Sequence, residues 1–265
     1  MNDSHWTTEL SYTSEDSIII RGYDLIQLIG VVPFPSVLYL LFKGELPEPK
    51  IAKLIDALMV ASIDHGPGAP SVLAARTAVS GGAQLGAAAA AGLLTLNKFH
   101  GAAVEDSMDA IQRVFELSEG KRDELDHAAD TMVAEWRQAG RRVAGFGHRQ
   151  HKKLDPRLER LFGLAKEAEV PCMHLEAAQA IVRALKRATG KDLPINIDGA
   201  TAAILCEIEF PSHLSNALFM VARITGILAH ANEEITRMPP MRRIDPVNHG
   251  YDGPPVRELP ETKFQ

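Results

Sequence analysis

Residues 145–157 read GFGHRQHKKLDPR, and the reading of the whole chain turns on them. Gly145 and Gly147 permit backbone conformations and close approaches that a side chain would block, so they deliver His148 into a defined loop. Asp155-Pro156 reads as an N-cap followed by proline in the first turn of a helix, which places Arg157 just inside that helix. Between positions 141 and 160 stand seven Lys or Arg (Arg141, Arg142, Arg149, Lys152, Lys153, Arg157, Arg160) against two acids, Asp155 and Glu159, in a chain with a formal net charge of −6. A cationic cluster in an acidic protein suits an anionic ligand, and a loop histidine suits proton transfer. The competing reading is a solvated basic loop.

Outward from that loop the periodicity is helical. Residues 47–65 carry Ile51, Leu54, Ile55, Leu58 and Met59 at i, i+3, i+4, i+7 and i+8 and stop at Gly66-Pro67. Amphipathic helices are expected over 105–118, 121–138, 156–168, 172–189 and 211–230. Residues 71–96, rich in Ala and Gly, read as one helix able to approach another closely, a candidate dimer core. Only 17–20 (SIII) reads as β structure, a small strand or hairpin near the N-terminus. The expected class is all-α.

Length and composition narrow the function. A chain of 265 residues with 46% hydrophobic residues accommodates one large domain or two unequal ones. The apolar stretches near 28–42 and 85–96 fall short of the roughly 20 uninterrupted residues of a membrane span, so no membrane association is expected. The opening MNDSHWTTEL is unlike a secretory or transit peptide, so a cytoplasmic location is expected. Cys172 and Cys206, without a CxxC, imply neither a disulfide framework nor a thiolate metal site and read as small buried hydrophobes. His148 and His151 stand at helical spacing, but no HExxH or carboxylate cluster completes a zinc site, so no metal is expected. The basic cluster lacks interleaved aromatic residues, which argues against nucleic acid.

The GFGH…DPR segment resembles an active-site signature of the citrate synthase superfamily. Further motifs follow in that family's order: Arg21-Gly22-Tyr23, VLYLLFKGELP at 37–47, Asp64-His65-Gly66-Pro67, His100-Gly101, Asn196-Ile197-Asp198-Gly199, and Phe219 with Arg223. The resemblance covers nearly the whole chain. It implies an all-α, citrate synthase-like fold with a large helical domain (1–103 and 213–265) and an inserted small helical domain (104–212). The compact length, the DHGP tetrapeptide and the helix leading through GLLTL resemble the citryl-CoA lyase type, similar to the C-terminal module of ATP-citrate lyase. His100 departs from that module, which commonly has phenylalanine there, and matches the synthases; Ala69 stands where synthases often have asparagine. The implied activity is cleavage of citryl-CoA to acetyl-CoA and oxaloacetate. The alternatives are a compact citrate synthase, or a non-catalytic subunit that binds a CoA ester.

Residue by residue, the resemblance adds roles to side chains that elementary reading leaves open. Asp198 alone reads as an ordinary N-cap; the resemblance makes it the acid–base group at the acetyl carbon. His100 alone reads as a core or cap histidine; the resemblance makes neutral His100 the donor to the enol oxygen, and makes His148 the group that exchanges a proton with the citryl hydroxyl. Arg223 is an isolated charge on an apolar helix, expensive unless paired, and Glu233 is a candidate partner. By resemblance it binds a substrate carboxylate, with Arg157, His65 and Phe219, because an arginine fork meets carboxylates bidentately. Arg242 and Arg243, in a segment lacking the family's RPR pattern, are the candidates for an arginine inserted into a partner's site. Arg149, Lys152 and Lys153 are expected to meet the CoA phosphates. Coenzyme A enters only as part of the substrate, with no permanently bound cofactor, and a homodimer or higher homo-oligomer is implied.

Overall fold

A computed structural model of the protein describes residues 7–97, 100–101, 103–147, 155–242, 253 and 255. The chain opens with a small antiparallel sheet, β1 (Ser11–Thr13), β2 (Ile18–Ile20) and β3 (Tyr23–Asp24), in that order. Tyr12 faces Ile19 and Ile20 faces Tyr23 across its two ladders. Arg21-Gly22 forms the turn between β2 and β3, and the Arg21 guanidinium donates to Leu41 O at 3.1 Å. The expected strand or hairpin therefore exists, as the centre of a three-stranded sheet.

The rest is helical: α1 (Leu25–Leu28), α2 (Phe34–Lys43), α3 (Pro49–Ser62), α4 (Pro70–Ser80), α5 (Leu85–Leu93), α6 (Val104–Leu117), α7 (Leu125–Gln138), α8 (Pro156–Glu167), α9 (Met173–Thr189), α10 (Ile197–Glu207) and α11 (Ser212–Arg237). Proline opens α3, α4 and α8, where its missing N–H costs nothing because the first-turn amides have no intrahelical partner. Five of the expected helices are found within a few residues of their expected ends, and the one expected over 211–230 runs on to Arg237. The exception is 71–96, which is two helices broken at Gly81-Gly82. The pair packs on itself and on α11, around Ala75, Val79, Ala88, Ile227 and Ala231. A Cβ on Gly92 would lie 2.7 Å from Ile227 Cγ2 and 2.9 Å from Ser71 O. Ala75, Ala88, Ala89 and Gly92 are thus used inside the chain, while Gly86, Ala87 and Ala90 stay exposed.

The main core joins α2 and α3 to α6–α10: Leu54, Ile55 and Leu58 are buried with Ile111, Met132, Ile181 and Ile204. Burying each of these side chains stabilises the fold by about 1.5–3 kcal/mol. α10 lies between α6, α8 and α9 and is buried along nearly its whole length. α11, about 39 Å long at 1.5 Å per residue, is long and apolar enough to cross a bilayer by length and composition alone. Here it packs against α3, α4, α5 and α6 and carries the buried charges of Arg223 and Glu234.

Candidate active site

The residues 145–147 are strapped to the start of α10. Gly145 O accepts from Asn196 N at 3.0 Å, Gly147 N donates to Pro194 O at 2.7 Å, and Asn196 Nδ2 donates to Gly147 O at 3.0 Å. Asn196 is also the N-cap of α10, its Oδ1 accepting from Asp198 N at 2.9 Å and Gly199 N at 3.1 Å. Asp198 is therefore not the cap; it stands two residues beyond it, in the first turn, with its carboxyl available for other work. The contact needs glycine on both sides. A Cβ on Gly145, whose φ is +85°, would lie 2.8 Å from Gly199 Cα, and one on Gly199 would lie 2.4 Å from Gly145 O. The strap ends one residue before His148. His148 itself, with Arg149, Lys152, Lys153 and Arg243, lies outside the described residues.

Burial pushes the Asp198 carboxyl above the ordinary aspartate range, against the opposing pull of the Arg223 and Arg157 guanidinium charges. His100 moves the other way. Burial holds its imidazole below the ordinary histidine value, and the positive charges of Arg223 and His65 add to that effect. Its Nε2 faces the start of α4, 3.3 Å from Ser71 N and 2.9 Å from Ser71 Oγ. A backbone amide only donates, so Nε2 must carry a lone pair, and the neutral ring bears its proton on Nδ1. The positive end of the α4 dipole also disfavours imidazolium. His100 does cap a helix, and that contact fixes a tautomer with an N–H left to donate. His100-Gly101 rests on Phe219: Gly101 has φ +71°, and a Cβ there would lie 2.7 Å from Phe219 Cε1.

Phe219 also lies 4.8 Å, centroid to Cζ, beneath the guanidinium of Arg223, one turn later on α11. Arg223 is 3% exposed, and its Nε donates to Ser62 O at 2.7 Å. Neither Nη makes a hydrogen bond among the described residues. Glu233 is not its partner; that carboxylate pairs with Arg237 and Arg76. Arg157 donates from Nη1 to Ala61 O at 3.0 Å, and from Nε and Nη2 to the buried Asp155 at 3.0 and 2.6 Å. Asp155 is the expected N-cap, accepting from Arg157 N at 3.0 Å. His65 is exposed on the loop after α3, next to Asp64. Asp64 is ionised at neutral pH: burial alone would raise its pKa, but hydrogen bonds from His230 and from the Gly66 and His65 backbone hold it below the usual aspartate value.

His65, His100, Arg157, Asp198, Phe219 and Arg223 thus form one set, linked by contacts and by mutual electrostatic effects. Arg242 is held elsewhere in the described structure. Its Nε binds Oε1 of the buried Glu234 at 2.6 Å, while Arg76 Nε binds Oε2 at 2.6 Å. Glu234 is eleven residues beyond Arg223, about 16 Å along the helix. Ser71, Asn196 and the Asp64–His230 pair were missed in the sequence. Pro70 in a first turn, which leaves the next amide without an intrahelical partner, was the available signal for Ser71. A separate cavity of about 480 Å³, bordered by Phe115, His174, Cys206 and Glu207, contains none of the expected site residues.

Residues 47–244 match the family model described as citrate synthase, C-terminal domain. Among solved structures, the citryl-CoA lyase from Hydrogenobacter thermophilus is 36% identical, with a TM-score of 0.87 and coverage of 97% of this chain and 98% of that one. An ATP citrate lyase from Methanosaeta concilii, solved as a D541A mutant with (3S)-citryl-CoA, shares the fold at 20% identity and a TM-score of 0.83, over 96% of this chain and 43% of that one. The citrate synthase of Synechocystis sp. is 28% identical over 225 residues, which are 83% of this chain and 54% of that protein. This chain spans about half the length of the curated relatives it matches. With the family model matching most of its length, the chain belongs to the citrate synthase family.

Proposed function

We propose that the protein is a citryl-CoA lyase, cleaving citryl-CoA to acetyl-CoA and oxaloacetate. The observation that carries this reading is the end-to-end likeness to the Hydrogenobacter thermophilus citryl-CoA lyase, which covers nearly all of both chains. His65, Arg157 and Arg223 hold the carboxylates of the citryl group. His148 takes the hydroxyl proton, the bond between the carbinol carbon and the acetyl methylene breaks, and its electron pair moves onto the thioester as an enolate. His100, neutral with its free N–H on Nδ1, donates to the enolate oxygen. Removing such a donor typically costs about 10²–10³-fold in turnover. Asp198, whose raised pKa favours the acid form, gives its proton to the carbon and so releases acetyl-CoA. Arg149, Lys152 and Lys153 meet the CoA phosphates by charge.

A compact citrate synthase is the second reading, favoured by the likeness to the Synechocystis enzyme and by a histidine at position 100. The purified protein is incubated with citryl-CoA, and separately with acetyl-CoA plus oxaloacetate, while acetyl-CoA, citrate and free CoA are followed. Acetyl-CoA from the first mixture without free CoA supports the lyase. Citrate and free CoA from the second support the synthase. CoA-ester binding with no turnover in either leaves a non-catalytic subunit. We also infer a homodimer, a reading supported by the exposed Leu73, Leu85 and Leu94 on the α4–α5 pair; a monomer by light scattering overturns it.

A further inference from the structure

We propose that His230 is a positioning residue that holds Asp64 away from the Arg223 guanidinium, keeping that fork open for a substrate carboxylate. The inference rests on the reading of Arg223 as a carboxylate-binding group. His230 lies seven residues after Arg223 on α11, two turns along and on the same face. Its Nε2 is 3.2 Å from Asp64 Oδ2, and its Nδ1 is 3.9 Å from Glu233 Oε2. An ionised carboxylate only accepts, so Nε2 is the donor. Asp64 Oδ2 also accepts from Gly66 N at 3.1 Å.

The segment from Ser62 to Gly66 lies directly on α11, between these two side chains. Arg223 Nε holds Ser62 O at one end, and His230 holds the Asp64 carboxylate at the other. Between them is Gly226, where a Cβ would meet Ile63 O at 2.4 Å and Asp64 Oδ1 at 3.2 Å. Asp64 Oδ1 is buried, and among the described residues no well-formed hydrogen bond reaches it. Such an atom gains from any donor that it reaches. Asp64 also exerts the strongest favourable charge interaction on Arg223, ahead of Asp198. A cavity of about 380 Å³, lined by Asp64, Gly226 and His230 among others, lies beside the carboxylate, so it is not locked in place by packing. Cut loose from His230, Asp64 has one strong destination: the two Nη atoms of Arg223, which are unpartnered among the described residues. There it competes with the ligand and shifts the neighbouring His65.

The test uses the full chain. Oxaloacetate and citrate binding are measured by calorimetry for wild type, His230→Leu, His230→Gln and the double variant His230→Leu/Asp64→Asn. His230→Leu should weaken binding at least tenfold, and should raise KM for citryl-CoA more than it lowers kcat. His230→Gln, whose side-chain amide reaches the same carboxylate, should recover most of the affinity. Replacing Asp64 in the His230→Leu background should also restore affinity, because the competing carboxylate is gone; a general packing defect would deepen instead. Histidine-ring NMR supplies a readout independent of substrate: the His65 signals should move in His230→Leu and return in His230→Gln. Wild-type affinity in His230→Leu with unmoved His65 signals overturns the proposal, as does a double variant weaker than the single. If wild type binds neither acid, the carboxylate reading fails on its own, and the NMR arm alone decides whether His230 positions the loop.

Discussion

Gly145→Ala adds one methyl group at the joint that holds the two halves of the proposed catalytic apparatus together. The new Cβ would lie 2.4 Å from Ser107 Oγ, 2.8 Å from Gly199 Cα and 3.0 Å from Gly199 N. Neither neighbour yields easily: Ser107 is fully buried with its hydroxyl on Ala103 O, and the other atoms are backbone at the start of a buried helix. The left-handed conformation costs a non-glycine residue about 1–2 kcal/mol, and overpacking adds about 1–3, for a total of about 2–5 kcal/mol. For a chain of this size each kcal/mol lowers Tm by roughly 2–4 °C, so calorimetry should find a fall of roughly 4–20 °C. The larger effect is positional. If the methyl group forces residues 145–147 away from α10 by about 1 Å, turnover should drop about 100-fold with the helical circular-dichroism signal retained. Gly163→Ala is the control: nothing lies within 4 Å of its Cβ, so helix propensity should make it neutral or slightly stabilising. A Gly145→Ala protein with Tm within 2 °C of wild type and unchanged turnover would falsify the proposed joint.

Asp198→Asn should lower turnover by about 10²–10⁴-fold. Because the native pKa of Asp198 is raised, its stabilising contribution is complete below the unfolded value and is lost as pH rises through the native one. The substitution should therefore raise Tm at pH 7 and lose that advantage near pH 4; a lower Tm at pH 7 refutes the burial argument. Arg223→Leu should cost about 2–5 kcal/mol of carboxylate binding, at least 30-fold in oxaloacetate or citrate affinity by calorimetry. Unchanged affinity would leave Arg223 as a cap of α3 and nothing more. Since both arginine charges oppose protonation of Asp198, and Arg223 also opposes that of His100, a bound dicarboxylate that offsets them should draw protons into the site. Calorimetry of oxaloacetate binding in buffers of different ionisation enthalpy measures this uptake, and net proton release contradicts it.

The helices were legible where apolar spacing and an end signal agreed, as in 47–65, whose stop at Gly66-Pro67 brackets the observed Pro49–Ser62. The reading failed at 71–96, where the alanine run outweighed Gly81-Gly82, and the pair of glycines proved to be the corner between two helices. At the site, the short motifs marked most of the side chains but not what orients them. Asn196 and Asp198 are both good N-caps, so only the backbone path could decide between them. Glu233 was a plausible partner for Arg223 because it shares the helix; the real acceptor is a backbone carbonyl of α3, which no side-chain pattern announces. Ser71 was hidden for the same reason, since its contact with His100 crosses 29 positions and uses a backbone amide.

These oriented contacts have a common origin in helix ends. The last carbonyls of α3 lack intrahelical partners and carry the negative end of its dipole. Ala61 O takes Arg157 and Ser62 O takes Arg223, so two cations from helices far apart in sequence are held side by side without a carboxylate between them. Asp155 closes the fork of Arg157, whereas Arg223 meets only the helix terminus, which offsets part of its charge and leaves its Nη groups without partners among the described residues. At the opposite polarity, the first amides of α4 hold a lone pair of His100, and the cap of α10 presents Asp198. Cation-holding and base-holding ends therefore face one another. This arrangement keeps His100 neutral beside the charged arginines, while burial outweighs their pull and leaves Asp198 readily protonated, the combination that the proposed carbon–carbon cleavage calls for.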